Sequence, residues 1–225
     1  MMIQQVIKGI GGISRAEAED ILYHTGIQST WWREVGRLPI VEVPQRLTGR
    51  NLFWHQNRYE DPDLNENNQP FHLRTPFIST TAGTVERDTF YRTNVLNPAW
   101  LEALRFGTDF GKRDAYLFYC YLFILGRKAV GHASFSEELR ELNVYTGYSP
   151  FQPEGEITAK IYIPPAQIER AEFWTLDQIK KDRANNKVPQ PVEVLPPNQR
   201  FIPPDDYNNV RGVLSREVLP GEVSL

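Results

Sequence analysis

The chain has 225 residues, 40% apolar and 12% aromatic, enough to bury a core and too apolar for a disordered segment. Twenty-five basic against 28 acidic side chains leave a formal charge of -3, with no Lys/Arg block, which excludes a generic nucleic-acid or anionic-membrane surface. One cysteine, Cys120, rules out an intrachain disulfide and a cysteine-built metal site, and four scattered histidines (His24, His55, His72, His132) lack zinc-motif spacing.

The first residues carry neither the basic start nor the apolar stretch of a secretory signal. Cytoplasmic residence, or export as an effector without a classical signal peptide, is the expectation. "SRAE" then predicts a capping box, Ser14 with Glu17 three residues on, opening a short helix. "ILYH", residues 21–24, reads as a buried strand ending near Gly26. A polar, proline-containing region follows, with "NLFWHQNR" at residues 51–58 inside it.

"TPFISTT", residues 75–81, is β-branched and aromatic and predicts a strand ending at three hydroxyls, Ser79, Thr80 and Thr81. "NPAWLEALRFG" predicts a helix with Asn97 as N-cap, Pro98 at the first position and Gly107 as stop. The apolar run at residues 115–125, "AYLFYCYLFIL", reads as a strand buried on both faces, since eleven residues are too few to cross a bilayer as a helix. Residues 134–143, "SFSEELRELN", are a helix candidate. "EITAKIYI" predicts a strand entered directly from the paired acids Glu154 and Glu156.

From residue 179 the composition changes, and seven of the 17 prolines fall in the last 47 residues. Proline at that density forbids regular helix and favours extended chain. Residues 1–178 are therefore expected to form one domain, and residues 179–225 a proline-rich arm.

Glu154 and Glu156 point to the same side if both lie on a strand, roughly 6–7 Å apart. Such a pair is either a solvated strand end or two carboxylates converging on one ligand, with one pKa raised by the other's charge. The hydroxyls at residues 79–81 can fix a carboxylate rotamer or simply satisfy a strand end. His24, next but one to Gly26, can donate to a sugar hydroxyl or serve structure alone.

In order along residues 21–174, "ILYHTG", "NLFWHQNR", "FISTT", "NVYTGYSPFQPEGE" and "EGEITAKIYIPPAQI" together resemble the ADP-ribosyltransferase superfamily, most closely the cholera and heat-labile enterotoxin A-chain type. His24 stands where that type has Arg and the diphtheria-toxin and poly-ADP-ribose polymerase branch has His. The resemblance implies an α+β fold: a split β-sandwich of two small antiparallel sheets with flanking helices and a cleft for NAD between them. It implies mono-ADP-ribosyl transfer from NAD to a macromolecular, protein acceptor, with no metal. By the same analogy Glu156 stabilises the ribosyl cation, Ser79 orients Glu156, and Glu154 engages the acceptor. His24, Thr25, Thr80 and His55 are the remaining NAD-contact candidates. Water as acceptor would make the chain an NAD glycohydrolase, and loss of turnover would leave an NAD-fold binding module.

Overall fold

A ten-residue strand at the very start of the chain, with adjacent Val6 and Ile7 both buried, is the one the sheet is organised around. In the computed structural model, which describes residues 2–35, 43–63, 68–82, 84–87, 94–97, 99–124, 136–137 and 156–204, strand β1 is Met2–Gly11. Next come α1 (Arg15–Asp20), a π-helical turn (Ile21–Thr25), β2 (Ile27–Gln28), α2 (Thr30–Val35), α3 (Val43–Arg46) and α4 (Gly49–Asn57). The middle of the chain gives β3 (Pro62–Asp63), β4 (Gln69–Pro70), β5 (Phe77–Thr81), β6 (Thr84–Arg87), β7 (Asn94–Asn97), α5 (Ala99–Gly107) and β8 (Ala115–Ile124). After β9 (Ser136–Glu137) come β10 (Glu156–Lys160), β11 (Tyr162–Ile163), β12 (Ile168–Trp174), α6 (Leu176–Ala184) and β13 (Glu193–Val194).

The architecture is α+β. Seven strands form one antiparallel sheet in the order β13-β12-β8-β1-β5-β10-β9, and β2 pairs with β11 beside it. β1 and β8 are zipped along their whole length, from Met2 opposite Ile124 to Gly11 opposite Ala115. β5 and β10 are paired just as continuously, from Phe77 opposite Lys160 to Thr81 opposite Glu156. Between these two blocks the ladder holds by one registered pair, Ile7 with Thr81. The two separate sheets expected from the resemblance are thus two halves of one sheet, parted along the β1–β5 seam.

Helix α5 lies over β1 and β8. Contact is close because Gly9 has no side chain: a Cβ there would sit 2.0 Å from the carbonyl oxygen of Ala103 and 2.9 Å from the Cα of Gly107. Trp100 of α5 stacks on Trp174 of β12, ring centroids 5.5 Å apart and planes 14° from parallel. Both indoles are buried, and pairs of this kind add about 0.5–1.5 kcal/mol beyond their burial.

The capping box at α1 forms: Ser14 Oγ accepts from the Glu17 amide, and the Glu17 carboxylate accepts from the Ser14 amide at 2.7 Å. The strand expected at residues 21–24 does not. Ile21 keeps helical torsions, the Gly26 amide reaches back to the Ile21 carbonyl, and Gly26 ends the turn at φ 69°. A four-residue apolar burst carries no period that separates strand from turn, and the preceding helix decides it here. Gly26 is required for a second reason, because a Cβ would lie 2.4 Å from the Ile163 carbonyl oxygen.

The strand expected through "EITAKIYI" breaks at Ile161, whose φ of 64° turns the chain out of the large sheet and into the β2–β11 pair. Its amide donates to Pro76 and its carbonyl accepts from Ser29, so both polar groups of the kink are satisfied. Asn97 closes β7, and α5 begins at Ala99. Of the helix candidate at 134–143, Ser136–Glu137 is strand, and the rest lies outside the described residues.

At the C-terminus, α6 crosses the boundary expected at residue 179, capped by Thr175, with Ile179 buried in the core. Proline begins only after the helix has ended. The extended chain beyond it is tied down: Asn198 donates to the Pro165 and Ile168 carbonyls at 2.8 and 2.7 Å, and Tyr121 donates to Ile202. No described helix is long and apolar enough to cross a membrane.

Candidate active site

A cleft of about 300 Å³ opens along the β1–β5 seam, lined from β1 by Ile7, Lys8 and Gly9 and from β5 by Ser79, Thr80 and Thr81. Glu156 enters from the start of β10, Glu102 and Phe106 from α5, and His55 and Tyr59 from α4 and the turn after it. Strand pairing explains why Glu156 and Ser79 meet. Glu156 sits opposite Thr81 and Thr158 opposite Ser79, so all four side chains share one face of the sheet.

Glu156 is nearly buried, its side chain 12% exposed. Desolvation holds its carboxyl pKa above the ordinary value; hydrogen bonding from Ser79 and the positive charge of Lys8 pull the other way. A carboxylate short of solvent but supplied with a hydroxyl donor and one cation is ready to meet positive charge.

Lys8 is its charged neighbour. Burial pushes the ammonium below the usual lysine range, while the charge of Glu156 pulls it back up. The lysine sits in a strand where its neighbours are apolar, and "VIKGIGG" was the available signal: a lone cation in an apolar run, followed by glycine.

His55 lies beneath the carboxylate, 5% exposed, its Nε2 3.8 Å from Glu156 Oε1. Burial first and the nearby Lys8 charge second push its pKa down to about 3, so it is neutral in ordinary buffers. Its two ring nitrogens reach Thr75 Oγ1 at 2.8 Å and Ser79 Oγ at 2.9 Å. Ser79 gives its one hydroxyl proton to the Glu156 carboxylate, so towards Nε2 it can only accept, and the unprotonated Nδ1 accepts from Thr75 Oγ1. The imidazole proton is then on Nε2 and donates to Ser79, whose hydroxyl proton points to Glu156. Thr75, His55, Ser79 and Glu156 form one directed chain of donors.

The sequence-derived candidates separate on this map. Glu156, Ser79 and His55 are brought together. Thr80 contributes to the cleft wall, but its hydroxyl donates to the Ile157 carbonyl across the ladder. His24 and Thr25 are exposed on the π-helical turn, and neither lines the cleft; the Thr25 hydroxyl donates to Asp20 at 2.9 Å. Glu154 lies outside the described residues. Sequence reasoning missed Lys8, Tyr59, Glu102 and Phe106. No cluster of three or more potential metal ligands occurs among the described residues.

No protein-family model matches the chain, and no curated protein sequence matches it. Among solved structures it is similar to one named EcPltA, at 16% identity over 96% of this chain and 97% of that one, with a TM-score of 0.49. It is also similar to the catalytic domain of the mosquitocidal toxin from Bacillus sphaericus, in a mutant form, at 14% identity over 92% of this chain and 64% of that one, with a TM-score of 0.38. Likeness at this level carries no argument about chemistry, which rests on the site's own residues.

Proposed function

We propose that the chain is a mono-ADP-ribosyltransferase, which cleaves the nicotinamide–ribose bond of NAD and transfers ADP-ribose to a protein acceptor. The observation that carries this reading is Glu156: an almost buried carboxylate at a cleft, held by Ser79 and accompanied by Lys8. The ordered likeness of residues 21–174 to the superfamily's motifs supports it from the sequence side.

The chemistry suits such a group. Nicotinamide leaves as a neutral base, taking the electron pair of the broken C–N bond, so no general acid is needed. The ribose carbon is left electron-poor, as in glycoside hydrolysis. A carboxylate already oriented next to it lowers the barrier by preorganised electrostatics. Ser79, held by neutral His55, keeps Glu156 aimed. Lys8 favours the ionised form of Glu156 and offers a cation to the diphosphate. Glu154 would take the acceptor proton as the new bond to the ribose forms, and the superfamily's Glu-x-Glu members make an arginine guanidinium the first acceptor to try. With Lys8 beside Glu156, the role of first-motif cation falls to it in place of His24.

The test is incubation of the protein with labelled NAD and a cell lysate. A labelled protein band with equimolar nicotinamide supports transfer. Nicotinamide without any labelled band means water is the acceptor, and a folded protein that releases none has no such activity. Glu154→Gln is expected to lose the labelled band while retaining nicotinamide release.

A further inference from the structure

Glu102 and Phe106 stand four residues apart on α5, so one turn brings both to the cleft, where the chemistry above uses neither. Their environments are opposite. Glu102 is 4% exposed, and desolvation raises its carboxyl pKa against the pull of Arg105. Arg105 Nη1 donates to both of its oxygens at 3.3 Å, which leaves each oxygen able to accept again. Phe106 is 46% exposed and meets the 55% exposed Phe110 edge to face, ring centroids 5.3 Å apart.

The backbone holds Phe110 in place against its own preference. Asp109, Phe110 and Gly111 have φ of 51°, 54° and 81°, left-handed in succession, and a bulky aromatic residue rarely adopts that conformation. The turn is fastened by the Phe110 amide to the Arg105 carbonyl at 2.9 Å, the Gly111 amide to Thr108 Oγ1 at 3.1 Å, and Arg113 to Asp109 at 2.8 Å. Strained residues held this firmly gather where ligands bind.

Exposed ring faces beside a buried, acceptor-only group complement a flat ring with an N–H donor on its edge. We propose that α5 and the turn after it form the subsite for a nitrogen heteroaromatic ring bearing an –NH2 group, as an amine or as part of a carboxamide. Phe106 packs the ring, backed edge to face by Phe110, and Glu102 accepts from its –NH2. The identity of the ligand rests on the proposed function, since NAD carries two such groups, the carboxamide of nicotinamide and the 6-amino group of adenine. A ribose hydroxyl could also donate to Glu102, but it would leave the aromatic rim without a use.

Discrimination follows from the acceptor. A ring with oxygen in place of the amino group would set acceptor against acceptor in a desolvated site, a mismatch that binding sites reject strongly. The experiment is calorimetric titration of the full chain with nicotinamide, nicotinate, AMP and IMP, for wild type, Glu102→Gln, Phe106→Ala and Phe110→Ala. Wild type is expected to prefer one amino-bearing probe over its oxygen counterpart by about 10-fold or more. Phe106→Ala is expected to weaken that probe on the order of 10-fold, and Glu102→Gln to erase the preference. Preference within the nicotinamide pair assigns the subsite to nicotinamide, and preference within the AMP pair assigns it to adenine.

Equal affinity within both pairs overturns the proposal, as does unchanged affinity in Phe106→Ala. Both phenylalanines are exposed, so their truncation leaves the core intact and decides the matter if Glu102→Gln melts early. Nicotinamide release from NAD is followed in the same samples. A wild type that cleaves NAD without ring preference loses only this subsite; one that shows the preference but cleaves nothing loses the transfer reading instead.

Discussion

Neutral His55 donates its Nε2 proton to Ser79 Oγ across 2.9 Å, joining helix α4 to strand β5 directly beneath the Glu156 carboxylate. The bond makes the imidazole a structural donor, and its pKa near 3 means it has no proton to exchange in the neutral range. The pH profile of NAD cleavage should therefore show no inflection near pH 6.5 from this residue, and nitrogen chemical shifts should report a single Nε2–H tautomer from pH 5 to 8. A titrating imidazole in that range would break the donor chain. Ser79→Ala should lower turnover less than loss of the carboxylate does, because the carboxylate and the Lys8 charge near it both remain.

Glu156→Gln should bind NAD and fold like the wild type while losing turnover by on the order of 100-fold or more, the usual loss for a key preorganised electrostatic group. Single-turnover nicotinamide release and a thermal melt measure the two halves of this expectation. Wild-type turnover in the variant would remove the carboxylate from the chemistry.

Lys8→Met should move the acidic limb of the activity profile. Glu156 must be ionised to work, so activity rises as pH passes through its pKa, which desolvation already holds above the ordinary carboxyl value. The ammonium of Lys8 opposes that rise; without it, the carboxyl pKa climbs further and the limb shifts to higher pH. Measurement of kcat/KM against pH in both proteins checks the sign. A limb that stays put, or moves towards acid, would separate Lys8 from Glu156.

Gly9→Ala should destabilise the fold by about 1–3 kcal/mol or more, as overpacking of a tight core contact does. The new methyl would fall 2.0 Å from the Ala103 carbonyl oxygen and 2.9 Å from the Gly107 Cα, both backbone atoms that a rotamer change cannot move aside. Denaturant melts measure the loss. Because α5 must lift off β1, the affinity of the cleft for ring probes should fall with it.

Several elements were legible without tertiary information because their signals are local. Ser14 with Glu17 announces a cap, the β-branched residues of "FISTT" announce a strand, and the apolar run behind Tyr116 announces a strand covered on both sides. The conjunction of Glu156 with Ser79 could be suspected from motif order alone. Short apolar bursts misled: "ILYH" has the composition of a strand, yet Ile21 continues α1 and Gly26 closes a turn, on which His24 and Thr25 lie exposed. The proline-rich composition also blurred α6, whose capped helix ends before the first proline of that stretch.

By itself the sequence pointed to the class of chain, to strands β5, β8 and β10 and to the carboxylate on which the proposed chemistry turns, because composition, caps and turn residues act over a few positions. Only the tertiary structure decided which cation faces that carboxylate and what lines the rest of the cleft. Lys8, His55, Ser79, Glu102 and Glu156 come from five separate elements. They meet through the register of β5 on β10 and the seam beside β1, and register is a property of paired strands that neither strand's residues specify alone.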